Sequence, residues 1–329
     1  MAGIIRLVRR VLMGTFLIEL VGAALLAWTF VPLYGWRKGL FFSLFHSVSA
    51  FCNAGFDLIG NGVSLVPFQG NPNVIFTIGN LIIVGGLGFT VIVDVIETRN
   101  LRKISLNSKV VLATTALLLA TGFLTVLLFE LNNPATLGPL SWKDKLLNAY
   151  FHSVTPRTAG FNSLQMADLS MATVFITMML MFVGGSPSST AGGAKTTTVA
   201  TLFIAVRAII LGREDSNVFH RRIPADAIRN AMAVFSVSMA LVVMVTLCLT
   251  VTEADHSLME ILFETTSAFA TVGLSLGMTP DLSDIGKLLL SLTMFAGRIG
   301  PITLVLALSG VKETQRTLFH YPEDKITIG

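Results

Sequence analysis

Five apolar stretches, residues 11–33, 74–95, 110–128, 231–251 and 285–308, are each long enough to cross a bilayer as a helix. A sixth, residues 171–211, is longer than one span and is interrupted in its middle. Crossing the hydrocarbon core takes about 20 helical residues. Only 13% of the chain is charged and its mean hydropathy is +0.75, against about 25% charged in ordinary soluble domains, so lipid is the main solvent. The first stretch does not read as a signal peptide. It is too long, contains Glu19 and is followed by no small-residue cleavage site, and is therefore expected to stay in the membrane. Cys52 and Cys248 read as two unrelated small residues, not as a disulfide.

The formal net charge of +4 reads as topology, not as affinity for nucleic acid. Basic residues gather at Arg6/Arg9/Arg10, Arg99/Arg102/Lys103/Lys109, Arg207/Arg213/Arg221/Arg222/Arg229 and Lys312/Arg316/Lys325. The positive-inside rule puts all of these clusters, and both termini, in the cytoplasm. Residues 253–284 then face outward, and they carry Glu253, Asp255, Glu260, Glu264, Asp281 and Asp284 but no Lys or Arg. Between successive clusters lie two apolar helices, separated by a moderately apolar segment too short to cross. Such a segment reads as re-entrant, so each unit is a helix, a short pore helix, a loop and a helix. The expected fold is an all-α integral membrane protein with no sheet. It has six crossing elements, three pore helices, and units at residues 1–105, 106–222 and 223–329.

Internal repetition supports this reading. FHSVSAFCNAGF at 45–56 matches FETTSAFATVGL at 263–274 without a gap, and FHSVTPRTAGF at 151–161 repeats the start and the end with one residue fewer. Gly55, Gly160 and Gly273 occupy one local frame, 105 and 113 residues apart. By contrast, Gly85, Gly86 and Gly88 read as packing glycines, since small residues let membrane helices approach.

A dehydrated cation needs oxygen ligands, and rings of backbone carbonyls from several loops supply them in potassium filters. Aiming successive carbonyls at one axis requires backbone angles with φ > 0, which glycine adopts without steric cost. Non-helical backbone at membrane depth is tolerated where it lines a polar cavity. The C-terminal end of each pore helix adds about half a negative charge that favours a cation. The expected filter backbone is Cys52, Asn53, Ala54 and Gly55 in the first loop, Thr158, Ala159 and Gly160 in the second, and Thr271, Val272 and Gly273 in the third. Asp57 reads as a loop cap or part of the outer vestibule. Arg157 is expected to point away from the axis and to tie its loop down by hydrogen bonds.

Two features are expected below the filter. Residues 184–194, GGSPSSTAGGA, cannot continue a helix, because Pro187 removes a donor and Ser186, Ser188, Ser189 and Thr190 compete for backbone groups. They do not form a phosphate loop either, since Ala194 separates Gly193 from Lys195. A broken helix acting as a movable gate is the better account, carried by Gly184, Gly185, Ser186, Pro187, Gly192, Gly193 and Lys195. The second feature is Arg298, embedded in the last span. Its charge belongs either near the permeation path or in a buried ion pair. His46 and His152 begin pore helices without Cys, Asp or Glu at metal-ligand spacing, and neither reads as a metal ligand.

The motifs NAGF at 53–56, RTAGFN at 157–162, GGSPSSTAGGAKTTT at 184–198, GRIGP at 297–301 and the tail YPEDKITIG at 321–329 resemble the Trk/Ktr/HKT superfamily of cation transporters. The likeness is closest to the Ktr-type membrane subunit and runs essentially from end to end. It implies four helix–pore loop–helix units around one potassium pathway, with a filter glycine in each loop. A broken inner helix serves as an intramembrane gate, and an arginine of the fourth unit sits below the filter. Carried over, the glycines are Gly55, Gly160 and Gly273, the gate is 184–195 and the arginine is Arg298.

The resemblance also implies K⁺ as the transported ion, Na⁺ as a coupling ion, and no covalent cofactor. The partners it implies are a second copy of the chain, a cytosolic nucleotide-binding subunit of the KtrA/TrkA-like type, and membrane lipid. Three units stand here where the family has four, and the expected first glycine would fall before Met1, so the sequence reads as lacking the first unit. The alternatives are a Na⁺-permeable member of the superfamily, a non-conducting copy retained for assembly, and an intramembrane enzyme, for which no nucleophile with a base stands out.

Overall fold

The computed structural model describes residues 2–60, 62–100, 102–300 and 303. The end of the 285–308 stretch, the Lys312/Arg316/Lys325 cluster and the 321–329 motif lie outside the described residues.

Three long helices, α1 (Ala2–Tyr34), α5 (Leu106–Glu130) and α9 (Ala225–Thr252), are each apolar enough to span a membrane. After each comes a shorter helix that turns back: α2 (Trp36–Phe51), α6 (Trp142–Val154) and α10 (Leu258–Ala270). At 13 or 16 residues these are too short to cross. Each leads into a loop and then an inner helix: α3 (Pro72–Leu87) continued by α4 (Phe89–Thr98), α7 (Met171–Val183) resumed as α8 (Thr196–Ile210), and α11 (Asp284–Ile299).

Side chains set these boundaries. Ser105, Ser141 and Ser257 cap α5, α6 and α10, each accepting from a backbone N–H of the first turn. At α10 the cap is reciprocal, with Glu260 accepting from the Ser257 N–H. The inner helices begin at Asn71, Ser170 and Ser283. At two of these starts, a glutamate ending the preceding long helix meets the cap. Glu130 accepts from the Ser170 N–H at 2.9 Å, and Glu253 from the Ser283 N–H at 3.1 Å. A carboxylate at a helix N-terminus offsets the partial positive charge there.

Each short helix packs against its own long helix and one or two inner helices: α2 against α1 and α3, α6 against α5 and α3, α10 against α9, α11 and α7. Phe30, Phe51, Phe151 and Phe161 fill the core around the first two sets, and Phe263, Leu274 and Met181 that between the second and third.

Two expectations are corrected. Residues 74–95 do not form one continuous helix: the chain bends by 92° at Gly88, whose φ is +89°. Gly88 is thus a helix break, not a packing glycine, and a Cβ there would lie 2.4 Å from the Pro187 carbonyl oxygen. The expectation of no sheet also fails. Asn217–Val218 pairs antiparallel with Arg221–Arg222 through a turn in which Phe219 and His220 have φ of 48° and 60°. Two left-handed residues make the tight turn that suits a two-residue hairpin.

Candidate ion-conduction site

The three expected filter loops take one backbone conformation. Gly55, Gly160 and Gly273 have φ of 73°, 86° and 91°. Two positions earlier in each loop, Asn53, Thr158 and Thr271 also have positive φ, at 51°, 70° and 54°. Non-glycine residues rarely adopt such angles, so finding them at one position in all three loops marks a shared, over-determined geometry. A hydroxyl from the end of each short helix holds the loop. Ser49 donates to the Phe56 carbonyl at 2.8 Å, Thr155 donates to the Phe161 carbonyl, and Ser267 accepts from the Gly273 N–H at 3.2 Å. The sequence reading passed over these hydroxyls, although they precede the glycines by six, five and six residues.

The loops meet head to tail. A Cβ on Gly55 would lie 2.4 Å from the Ala159 carbonyl oxygen, and one on Gly160 would lie 2.2 Å from that of Val272. A Cβ on Gly273 would meet only the Gly160 Cα, at 3.9 Å. The residues that follow repeat this order. Phe161 is fully buried, with its ring 6.4 Å from that of His46 on α2, and Leu274 is buried in the cluster formed with the second set. Phe56, in the same frame, is 70% exposed. Two seams between loops are therefore closed, and one, between Gly273 and Phe56, is open.

Outside the loops, Gly160, Asn162, Gly273 and Ser275 help line a cavity of about 290 Å³. Asp57 accepts from the N–H groups of Ile59 and Gly60 at 2.9 and 3.2 Å, as a loop cap does. Arg157 is buried and its guanidinium donates to the Thr115 carbonyl on α5 at 3.4 Å, away from the neighbouring loops. His46 and His152 sit in the packing, bonded to the Phe42 carbonyl at 2.7 Å and the Thr177 hydroxyl at 3.0 Å.

Beneath the loops, all three inner helices end at glycines of positive φ: Gly88 at 89°, Gly184 at 64° and Gly300 at 101°. Gly85 and Gly297, each three residues before a break, let α3 and α11 rest on the last carbonyls of the short helices. A Cβ at these positions would lie 2.0 Å from the Phe51 oxygen and 1.7 Å from the Phe269 oxygen.

The longest break, between α7 and α8, spreads under this level. Gly192 packs against the Ala270 carbonyl and the Thr271 side chain, where a Cβ would come within 2.7 and 2.2 Å. Gly184 and Gly193 turn the chain through positive φ. The Gly185 N–H faces the Gly192 carbonyl at 3.5 Å, and the Ser186 N–H donates to Gly86 at 3.1 Å. The carbonyl of Ser188 caps α4 by accepting from Phe89 at 3.1 Å. The Lys195 ammonium turns back onto the Ala191 carbonyl at 2.8 Å.

Thr190 is the junction of this region. Its hydroxyl lies 3.2 Å from both the Phe51 and the Gly85 carbonyls, its N–H donates to Gly85, and its carbonyl accepts from Arg298. Arg298 is exposed and, among the described residues, has no carboxylate partner. The buried-ion-pair account of this residue is not what the described residues contain.

Comparisons with known proteins agree along the chain. A family model described as TrkH, cation transport protein, matches residues 2–320. The chain is 42% identical to the potassium/sodium uptake protein NtpJ of Enterococcus hirae, over 100% of the chain and 73% of that protein. It is also 42% identical to the Ktr system potassium uptake protein B of Bacillus subtilis, over 99% of the chain and 72% of that protein. Among solved structures, the potassium transporter TrkH of Vibrio parahaemolyticus matches with a TM-score of 0.72 at 19% identity, covering 91% of this chain and 63% of that one.

Proposed function

Because the chain belongs to the TrkH family of cation transport proteins, we propose that it takes up potassium across the plasma membrane as the pore-forming subunit of a Trk/Ktr-type system. The observation that carries this reading is the head-to-tail meeting of the Gly55, Gly160 and Gly273 loops. The backbone carbonyls of Cys52, Asn53 and Ala54, of Thr158 and Ala159, and of Thr271 and Val272 are the ligands that replace the water shell of K⁺. They are uncharged, so the ion binds without being trapped and can leave when the next arrives. A fourth loop of the same kind, seated in the open seam between Gly273 and Phe56, completes the ring. The units at 1–105, 106–222 and 223–329 are its other three parts.

Segment 184–195 is the gate. It lies directly under the first and third loops, and Arg298 holds it closed through the Thr190 carbonyl while placing a positive charge in the ion's way. Opening withdraws both together. Gly184, Gly185, Gly192 and Gly193 supply the backbone freedom, and the Lys195 contact at the foot of the segment limits the travel.

Sodium is the coupling ion in this reading, in keeping with the name of the Enterococcus relative. A second copy of the chain and a cytosolic nucleotide-binding subunit are the partners. Both termini face the cytoplasm with the basic clusters, and the chain is not an enzyme. The test is tracer K⁺ uptake in a host lacking its own uptake systems, with and without Na⁺. Saturable K⁺ uptake that Na⁺ stimulates supports the reading. Na⁺ carried as fast as K⁺ supports the sodium-permeable alternative, and a correctly inserted chain that carries neither ion, even in its full assembly, overturns it.

A further inference from the structure

Away from the ion pathway, a cleft of about 600 Å³ is lined by Arg102, Ile104, Lys109, Leu112, Phe219 and His220. Its walls come from the turn after α4, the start of α5 and the tip of the short ribbon. Since α5 is a membrane-spanning helix that begins at Leu106, Lys109 lies one turn inside its basic end. Leu112 lies one turn deeper on the same face. The cleft thus has a basic rim of Arg102, Lys109 and His220 beside the apolar Ile104 and Phe219, and its apolar wall deepens along α5 at Leu112.

The rim is free to bind an anion. Lys109 uses one N–H on the Arg102 carbonyl at 2.6 Å, which leaves two of its three donors. Neither basic side chain is in an ion pair among the described residues. The Asp94 carboxylate on α4 is engaged elsewhere, accepting from the Ser105 N–H at 3.0 Å and from the Ser108 hydroxyl. At the ribbon tip, Phe219 sits in a left-handed conformation and is 45% exposed, a position from which an aromatic ring can lie at headgroup level.

We propose that this cleft binds an anionic phospholipid of the inner leaflet. Its phosphate sits against Arg102, Lys109 and His220, and its acyl chain lies over Ile104, Leu112 and Phe219. Charge selects an anion, and the apolar wall selects a lipid: Leu112 lies inside a spanning helix, one turn beyond Lys109, where an acyl chain can follow. The site rests on the membrane placement of α5 and not on the transport reading, so its test does not involve ion flux.

The protein, equilibrated with vesicles of equal phosphatidylglycerol and phosphatidylcholine and then weighed by native mass spectrometry, is expected to retain phosphatidylglycerol preferentially. At about fivefold per basic residue near the membrane surface, the variant R102Q/K109Q should lose that preference by about thirtyfold, and R102K/K109R should keep it. F219S, changed at the 45% exposed tip of the ribbon, should shorten retention. The proposal is overturned if the wild type does not prefer phosphatidylglycerol. It is also overturned if R102Q/K109Q and F219S retain it as the wild type does, or if millimolar inorganic phosphate displaces it.

Discussion

At the level of the loops, Gly55, Gly160 and Gly273 share a backbone conformation and a hydroxyl tether, and Gly55 and Gly160 meet the next loop in the same direction. Beneath them the inner helices of the same three sets break at Gly88, Gly184 and Gly300 in different ways. The first makes a one-residue bend of 92°, and the second opens between Val183 and Thr196. Carbonyls that must close on one ion from several sides cannot diverge from one another without spoiling the ring. A plug needs only one unit to supply it, and the others need only make room. With the loops as the proposed filter and 184–195 as the proposed gate, the level that would bind is held to the repeat, and the level that would obstruct is released from it.

The sharpest way to break this comparison is to put a side chain on the loop glycines. G160A should cut K⁺ over Na⁺ discrimination in tracer uptake by tenfold or more, because an L-residue at positive φ costs about 1–2 kcal/mol and its Cβ would also strike the Val272 carbonyl at 2.2 Å. G55A should do the same against Ala159. G273A tests the open seam. If a fourth loop sits there, it should be as damaging as G160A, and a clearly milder effect would mean the seam is empty.

Disturbing the lower level should leave selectivity intact and change rate. Deleting residues 186–190 should raise maximal K⁺ flux severalfold with little change in half-saturation and with weaker dependence on the regulatory partner. Unchanged flux in a well-folded deletion variant would make the segment structural. R298Q should move flux in the same direction. Thr190→Val removes the hydroxyl contacts to Phe51 and Gly85 but keeps the backbone carbonyl that Arg298 uses. Losing about 1 kcal/mol of hydrogen bonding predicts a rise of about fivefold, measured as resting flux without activation.

The smallest effect concerns how the sets are fastened. The Ser283 hydroxyl and N–H hold the Glu253 carboxyl below the ordinary glutamate range. A lowered folded pKa means that the carboxylate's contribution to stability is complete above the unfolded pKa and is lost as pH falls through the folded one. Thermal unfolding should therefore move to lower temperature on acidification, and E253Q should shift down at neutral pH while losing part of that acid sensitivity.

Much of this could be read from residues. The short turned-back helices and the glycines after them were legible because the constraint is local: only certain residues tolerate φ > 0, and the frame FHSV…AGF repeats within a few positions. The interruption at 184–194 was legible because Pro187 and its glycines exclude a helix by composition. The break at Gly88 was not. VGGLG is a plausible packing motif, and only the Pro187 and Ser188 carbonyls, a hundred residues away, make Gly88 a corner and cap the helix beyond it. The spacing Gly85–Gly88, matched by Gly297–Gly300, was the signal available. The ribbon at 217–222 was hidden for a related reason: its Phe-His tip carries none of the glycine or asparagine that usually marks such a turn.

The sequence by itself determined the solvent, the three long apolar helices, the repeated frame and the glycines, because these follow from hydrophobic length and backbone sterics, which act within a few residues. It also singled out Arg298 as an ionisable group at membrane depth, without its partner. Only the tertiary structure decided that the Gly55, Gly160 and Gly273 loops touch in sequence with one seam open, and that Thr190 joins Phe51, Gly85 and Arg298. Those are contacts between segments a hundred or more residues apart. They depend on how closely the inner helices approach the ends of the short helices, and that distance is set by packing across the whole bundle.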